Sequence, residues 1–168
     1  MVEERDVYFN VEPLISVENK FVLWVDIMGM QELMLRSFKK SVTAIGKFHT
    51  CVINAKKQIC KKQNESTVQV LPVMDGIYAI TDNGRDMKNF ICALFENILT
   101  VFCAQENENR FLVRGGLAYG PLTLGSKINS KVSKDLAAES EYVKLLMMGL
   151  PMIRAYQGEK KAPPFGIY

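Results

Sequence analysis

The 168-residue chain has one histidine, one tryptophan and four cysteines without a C-x-x-C spacing. His49 has no second histidine with which to share a metal ion, so on its apolar helix face it reads as a half-buried core residue. Cys51, Cys60, Cys92 and Cys103 each sit inside a helix pattern and are expected as buried free thiols. No apolar run reaches the ~18 residues of a membrane span. The N-terminus, Met-Val-Glu-Glu-Arg, is acidic and unlike a signal peptide, which makes the cytoplasm the expected compartment. Excess charge is scarce as well. A net charge of +3 is too weak to argue for DNA or a membrane. The basic cluster Lys56, Lys57, Lys61 and Lys62 lacks interleaved aromatics and reads as the solvated end of a helix, not a nucleic-acid patch.

What is present suits an ordinary globular protein: 48% hydrophobic and 23% charged residues. The length fits a single domain over 1–168, with an extension over 1–19 and a core over 20–168. Alternating Val7, Phe9 and Val11 predict a short strand over 6–12, ended by Pro13. Residues 20–27 form a nearly continuous apolar run, the pattern of a central strand buried on both faces. Residues 31–62 read as helix with a break near Gly46, and Phe38, Val42, Ile45, His49, Val52, Ala55 and Ile59 mark one face. After a polar loop over 63–67, residues 68–74 and 76–81 predict a tight hairpin around Met-Asp-Gly. Asp82-Asn-Gly starts a helix over 86–104. Residues 110–119 read as a fourth strand, 121–135 as loop, and 136–160 as helix around a Gly149-Leu-Pro151 break. Residues 165–168 look like the start of a strand.

Strand, long helix, hairpin, helix, strand is the α+β, ferredoxin-like βαββαβ order, with both main helices on one face of the sheet. Two of its strands run into a single acidic residue each, Asp26 and Asp75. A carboxylate at the end of a buried strand is costly unless something pairs with it. In this topology strand one lies antiparallel to strand three, so the two carboxylates fall side by side at one sheet edge. Converging carboxylates suit a hard divalent cation, which also takes substrate phosphates. Two such ions can clamp the attacking and leaving oxygens of a phosphoryl transfer. The plainer readings are a helix N-cap for Asp26 and a hairpin turn residue for Asp75. After Asp26, the helix start at residues 27–30 offers outward N–H groups to a phosphate, and Gly29 permits close approach. Arg114, in a strand reading VRGGLAYG, reads either as a triphosphate ligand or as the partner of an acidic residue on the sheet.

Together these segments resemble the class III nucleotide cyclases. That family combines an Asp-Ile-x-Gly-Phe start, a Gly-Asp hairpin, an Arg-x-Gly-x-x-x-Gly strand and a final Gly-x-x-x-Asn-x-Ala-x-Arg-x-Glu helix, here residues 149–159. The resemblance implies catalytic, metal-binding roles for Asp26 and Asp75 and a metal-ligating carbonyl at Ile27. It implies a phosphate-cradling turn at Met28, Gly29 and Met30, and two Mg²⁺ or Mn²⁺ ions. It also implies a nucleoside triphosphate substrate, and a site built between two subunits of a homodimer.

Gly149, Ala155 and Glu159 keep the skeleton of the last helix. The family's transition-state Asn, however, falls on Ile153 and its Arg on Gln157. The base-reading positions fall on Gln69 and near Leu146. A divergent bacterial branch, including the pyrimidine cyclases of the Pycsar anti-phage system, is the more similar. It implies a cyclic UMP or cyclic CMP product read by a downstream effector protein. The small net charge and the lack of a spanning run predict no nucleic acid and no membrane among the partners. Gln69 offers an amide that can both donate and accept to a pyrimidine edge. A catalytically inactive cyclase-like domain and a palm-type polymerase are the alternatives.

Overall fold

The computed structural model describes residues 17–62, 68–105, 110–127 and 134–168; the expected strand over 6–12 and the loop over 63–67 lie outside these. The central strand is β1 (Glu18–Ile27). It is flanked by the hairpin strand β3 (Gly76–Thr81) on one side and by β4 (Val113–Leu124) on the other, both antiparallel. β2 (Gln69–Val73) lies outside β3, β5 (Met147–Gly149) outside β4, and β6 (Gly166–Ile167) runs parallel to the start of β4. The order β2-β3-β1-β4 is that of the ferredoxin-like arrangement.

Two helices, α2 (Phe38–Lys62) and α3 (Gly84–Ala104), cover one face of this sheet, as expected. Leu23, Val25, Ile27, Ile77 and Ala79 meet Phe48, Val52, Phe90 and Leu94 there in a dry core. α3 starts where Asn83 caps the backbone N–H groups of Arg85 and Asp86 with its side-chain oxygen. By length and hydropathy α3 is the one described helix that could cross a membrane. Here its Met87, Phe90, Leu94 and Ile98 pack in the core. The opposite face carries α6 (Leu150–Glu159), under which Val22, Trp24, Leu71, Ile80, Leu122 and Ala155 form a second, smaller core.

Several expectations are corrected. The break in the first helix lies at Ser37, between α1 (Met30–Arg36) and α2, and not at Gly46. Ser37 is extended, and its N–H bonds back to the Leu33 carbonyl to close α1. Gly46 is accommodated on the exposed side of α2, at a cost of roughly 1 kcal/mol. The buried face of α2 is also rotated. Ser41, Ala44, Phe48 and Cys51 point inward along with Val52, Ala55 and Ile59, while Phe38 and Val42 point to solvent. Small residues let the helix seat close to the sheet, and Phe48 fills the space beneath. His49 is half-buried as expected, and burial holds its pKa below the ordinary imidazole value.

The cysteines are free, but only Cys51 is buried; Cys60, Cys92 and Cys103 are exposed on the outer flanks of α2 and α3. β4 runs past Gly120-Pro121 because β1 starts early, at Glu18, and pairs with it as far as Leu122. The segment before the last helix is not one broken helix. It holds the short α4 (Lys134–Ala138) and α5 (Ser140–Val143), then β5. Pro151 sits in the first turn of α6, where its missing N–H costs nothing, so it marks a start and not a break.

Candidate functional site

The pleat decides which side chains meet. Successive residues of a strand alternate faces, so Val22, Trp24 and Asp26 of β1 share the α6 side. Across the ladder, Asp26 pairs with Gly76 on β3 and with Arg114 on β4. Asp75 immediately precedes Gly76. The two aspartates thus come to one end of the sheet, as the topology requires, and both are half-buried. Loss of hydration pushes the Asp26 carboxyl up to about 6, and the Asp75 carboxylate beside it adds to the rise. The Ile27 N–H, donated to Asp26 Oδ1 at 2.9 Å, opposes it. Glu159 raises it further and Arg114 lowers it slightly.

The plainer reading of Asp26 as an N-cap fails, whereas Asp75 does occupy the hairpin turn. The N-cap of α1 is Gly29, not Asp26. The hairpin turns on Met74-Asp75, with Gly76 already in the ladder opposite Val73. Met74 has a φ of 54°, a left-handed conformation uncommon for a non-glycine residue, and its side chain is exposed. The turn therefore holds a strained residue next to Asp75, where Asn-Gly or Asp-Gly at its centre would relax it.

At the β1–α1 turn Gly29 is left-handed at φ 71°. A side chain there would be strained by conformation, since nothing lies within 4 Å of the missing Cβ. Two of the turn's amides are already used. Ile27 N–H goes to Asp26, and Met28 N–H goes to the Leu112 carbonyl at 2.9 Å. Met30 is buried and pins the start of α1 to the core. A cavity of about 550 Å³ opens on the helix side of this turn, with Ile27, Met28, Gly29, Arg36 and Arg110 in its wall. Neither aspartate lines it.

Arg114 pairs with an acid, but on α6 and not on the sheet. Its Nε–H donates to the carboxylate of Glu159, which is buried. α6 approaches this closely because position 116 is glycine: a Cβ there would lie 2.1 Å from the Ala155 carbonyl oxygen. Beside the charged pair, Trp24 packs against Tyr78 with the rings tilted (centroids 4.6 Å apart) and meets Tyr156 edge-on at 5.9 Å. Glu159 and this aromatic group were not singled out from the sequence as site components. The period-two alternation through Trp24 and Asp26 was the available signal.

Gln69 is placed elsewhere within the chain. It pairs with Ile80 at the far end of β3 from Gly76, so no single chain brings it to Asp26. Leu146 precedes β5, and its carbonyl accepts from the Gly125 N–H at 2.8 Å. Ile153 and Gln157 are exposed on α6.

Among the described residues no group of three or more His, Cys, Asp or Glu is arranged to hold a metal ion. Asp26 and Asp75 with the Ile27 carbonyl still fit a hard divalent cation, which needs few protein oxygens when water and substrate phosphate complete its shell. The Asp26 carboxyl is raised first by burial and then by the neighbouring Asp75 carboxylate, and a bound cation would oppose both effects.

No protein-family model and no curated protein sequence matches the chain. Solved structures do. An adenylate/guanylate cyclase/hydrolase from Silicibacter pomeroyi superposes with a TM-score of 0.55 at 15% identity, over 91% of this chain and 75% of that one. The guanylyl cyclase Cya2 superposes with a TM-score of 0.58 at 11% identity, over 90% and 74%. A bacterial light-regulated adenylyl cyclase matches with a TM-score of 0.55 at 13% identity, over 89% of this chain but only 42% of its own length. At such identities the likeness is one of fold: the chain has the mixed α/β fold, with a curled antiparallel sheet, of the class III nucleotide cyclases.

Proposed function

We propose that this protein is a metal-dependent nucleotide cyclase that converts a nucleoside triphosphate to its 3′,5′-cyclic monophosphate and pyrophosphate. The observation that carries this reading is the convergence of Asp26 and Asp75 at one end of β1 and β3, on a cyclase fold. Asp26, Asp75 and the Ile27 carbonyl would hold Mg²⁺ or Mn²⁺. When bound, two such ions supply charge neutralisation at the α-phosphate and lower the pKa of the attacking 3′-hydroxyl. The chain's own part is positional. Asp26 is oriented by its bond to the Ile27 N–H. The left-handed Gly29 leaves room for phosphate beside the turn. Arg114 stands next to Asp26 in the ladder and is bonded through Nε to Glu159; its remaining guanidinium N–H groups would be offered to a triphosphate.

The site is proposed to be completed by a second copy. Ile153, Leu150, Tyr156 and Met148 leave an apolar face on and beside α6, and Gln69 reaches a base only from a partner chain. Gln69 and Leu146 put an amide and an apolar group where purine-reading residues stand in the resembled family. UTP or CTP is therefore the proposed substrate, and the cyclic product the proposed alarm signal to an effector in cytoplasmic anti-phage defence. Ile153 and Gln157, in place of the family's Asn and Arg, favour a second reading: an inactive cyclase-fold domain that binds a nucleotide.

Incubation with each nucleoside triphosphate and Mn²⁺, with products identified by mass, separates the two. Cyclic UMP or CMP should exceed the purine products roughly ten- to a hundredfold, the discrimination available to one good amide contact. Asp26→Asn and Asp75→Asn should each lose at least about a hundredfold in turnover while keeping the fold. Faster cyclisation of ATP or GTP would overturn the base assignment, and no product with any metal would favour the inactive domain.

A further inference from the structure

α2 is the most one-sided element of the chain. From Arg36 to Lys62 the sequence holds eight Lys and Arg and no Asp or Glu, although the whole chain has a net charge of only +3. The remainder is therefore net negative, and positive charge is concentrated in this segment of the sequence. Apolar side chains are exposed in and beside it. Leu35 is 84% exposed, Phe38 73%, Val42 51% and Ile53 51%. At 100° per residue Phe38, Val42 and Ile53 fall on one flank of α2. The exposed Lys39 and Lys57 lie beside them, on the line facing directly away from the core. Leu35 and Phe38 stand on either side of the Ser37 bend, and both are exposed.

Large apolar side chains clustered on a surface mark a contact with something apolar. None of these four side chains lines the cavity beside the β1–α1 turn. The flank carries one aromatic residue, too few for stacking nucleic-acid bases. An apolar stripe bordered by lysines is instead the pattern of a helix that lies in the headgroup boundary of a bilayer.

We propose that this flank of α2 is a peripheral docking surface for an anionic membrane. Leu35, Phe38, Val42 and Ile53 enter the headgroup boundary, and Lys39 and Lys57 meet lipid phosphates. The expectation of no membrane partner rested on the small net charge and on the lack of a spanning run. Neither bears on a peripheral contact made by one lopsided surface. The inference is independent of the cyclase reading, because none of these residues belongs to the carboxylate end of the sheet.

Flotation of the full chain with vesicles tests it. The protein should float with phosphatidylcholine vesicles that contain phosphatidylglycerol, stay behind with phosphatidylcholine alone, and be released as salt is raised. Lys39→Glu/Lys57→Glu should bind anionic vesicles at least roughly tenfold more weakly, since each cation near the surface is worth about fivefold. Leu35→Ser/Phe38→Ser should float poorly even at low salt. Both variants change exposed side chains and should keep the wild-type circular dichroism and melting temperature, which separates lost binding from lost fold. The proposal fails if neither vesicle type carries the protein, or if both variants float like the wild type. Retention on heparin without vesicle binding would also overturn it, by assigning the face to a soluble polyanion or an acidic protein.

Discussion

Along β1, Leu23, Val25 and Ile27 face α2 and α3 among apolar neighbours, while Val22, Trp24 and Asp26 face α6. The first row ends as it begins, in dry packing. The second passes from Val22 through a tryptophan whose indole N–H is buried without a partner among the described residues to a carboxylate that burial makes weakly acidic. Only Val22 in that second row packs without an unmet polar group. One strand thus separates the two demands: its helix-facing row holds the domain together, and its α6-facing row gathers charge at one end.

The sharpest way to break that contrast is to remove one half of the Arg114–Glu159 pair. Arg114→Ala leaves Glu159 buried and uncompensated and should cost about 4 kcal/mol, read by urea denaturation. Glu159→Gln leaves the more exposed Arg114 to water and should cost clearly less. Equal losses would mean that the pair is not what anchors α6. On the helix-facing row, Leu23→Ala should cost about 3 kcal/mol through its cavity, with metal binding by the folded fraction unchanged. A specific loss of metal affinity in Leu23→Ala would blur the division between the two rows.

The smallest expected effect has the opposite sign. With a folded pKa of about 6 against 3.8 for an ordinary aspartate, native Asp26 binds more protons than the unfolded chain between those values. Stability should therefore fall as pH rises through that window and stay lower above pH 6. Asp26→Asn should remove this dependence. Without divalent metal at pH 7 it should stabilise the protein by roughly 1 kcal/mol, after allowing for solvent screening of a half-exposed group. A destabilised Asp26→Asn at that pH would mean that the charged carboxylate has a favourable partner after all.

Much of this was legible in the chain before folding. A nearly continuous apolar run placed β1 and the hairpin signal placed β2 and β3, and the βαββαβ order alone brought Asp26 beside Asp75. The elements that went astray were decided by partners distant in sequence. The exposure of Phe38 and Val42 follows from how α2 seats on the sheet, with Ser41 and Ala44 turned inward in their place. β5 exists only because β4 runs long enough to pair with Met147–Gly149, and no local pattern reports that length. The Arg114–Glu159 contact spans 45 residues and depends on Gly116 admitting α6, a close approach that glycine allows but does not announce.

The central claim is that Asp26 and Asp75 together make a divalent-cation site. Titration of Mn²⁺ into the wild-type chain, Asp26→Asn and Asp75→Asn, followed by the loss of the free-ion electron paramagnetic resonance signal, tests it without requiring turnover. The wild type should bind Mn²⁺, with affinity rising with pH as Asp26 deprotonates around pH 6. Each variant should lose most of that binding while remaining folded. Mn²⁺ binding that is unchanged in both variants would contradict the account.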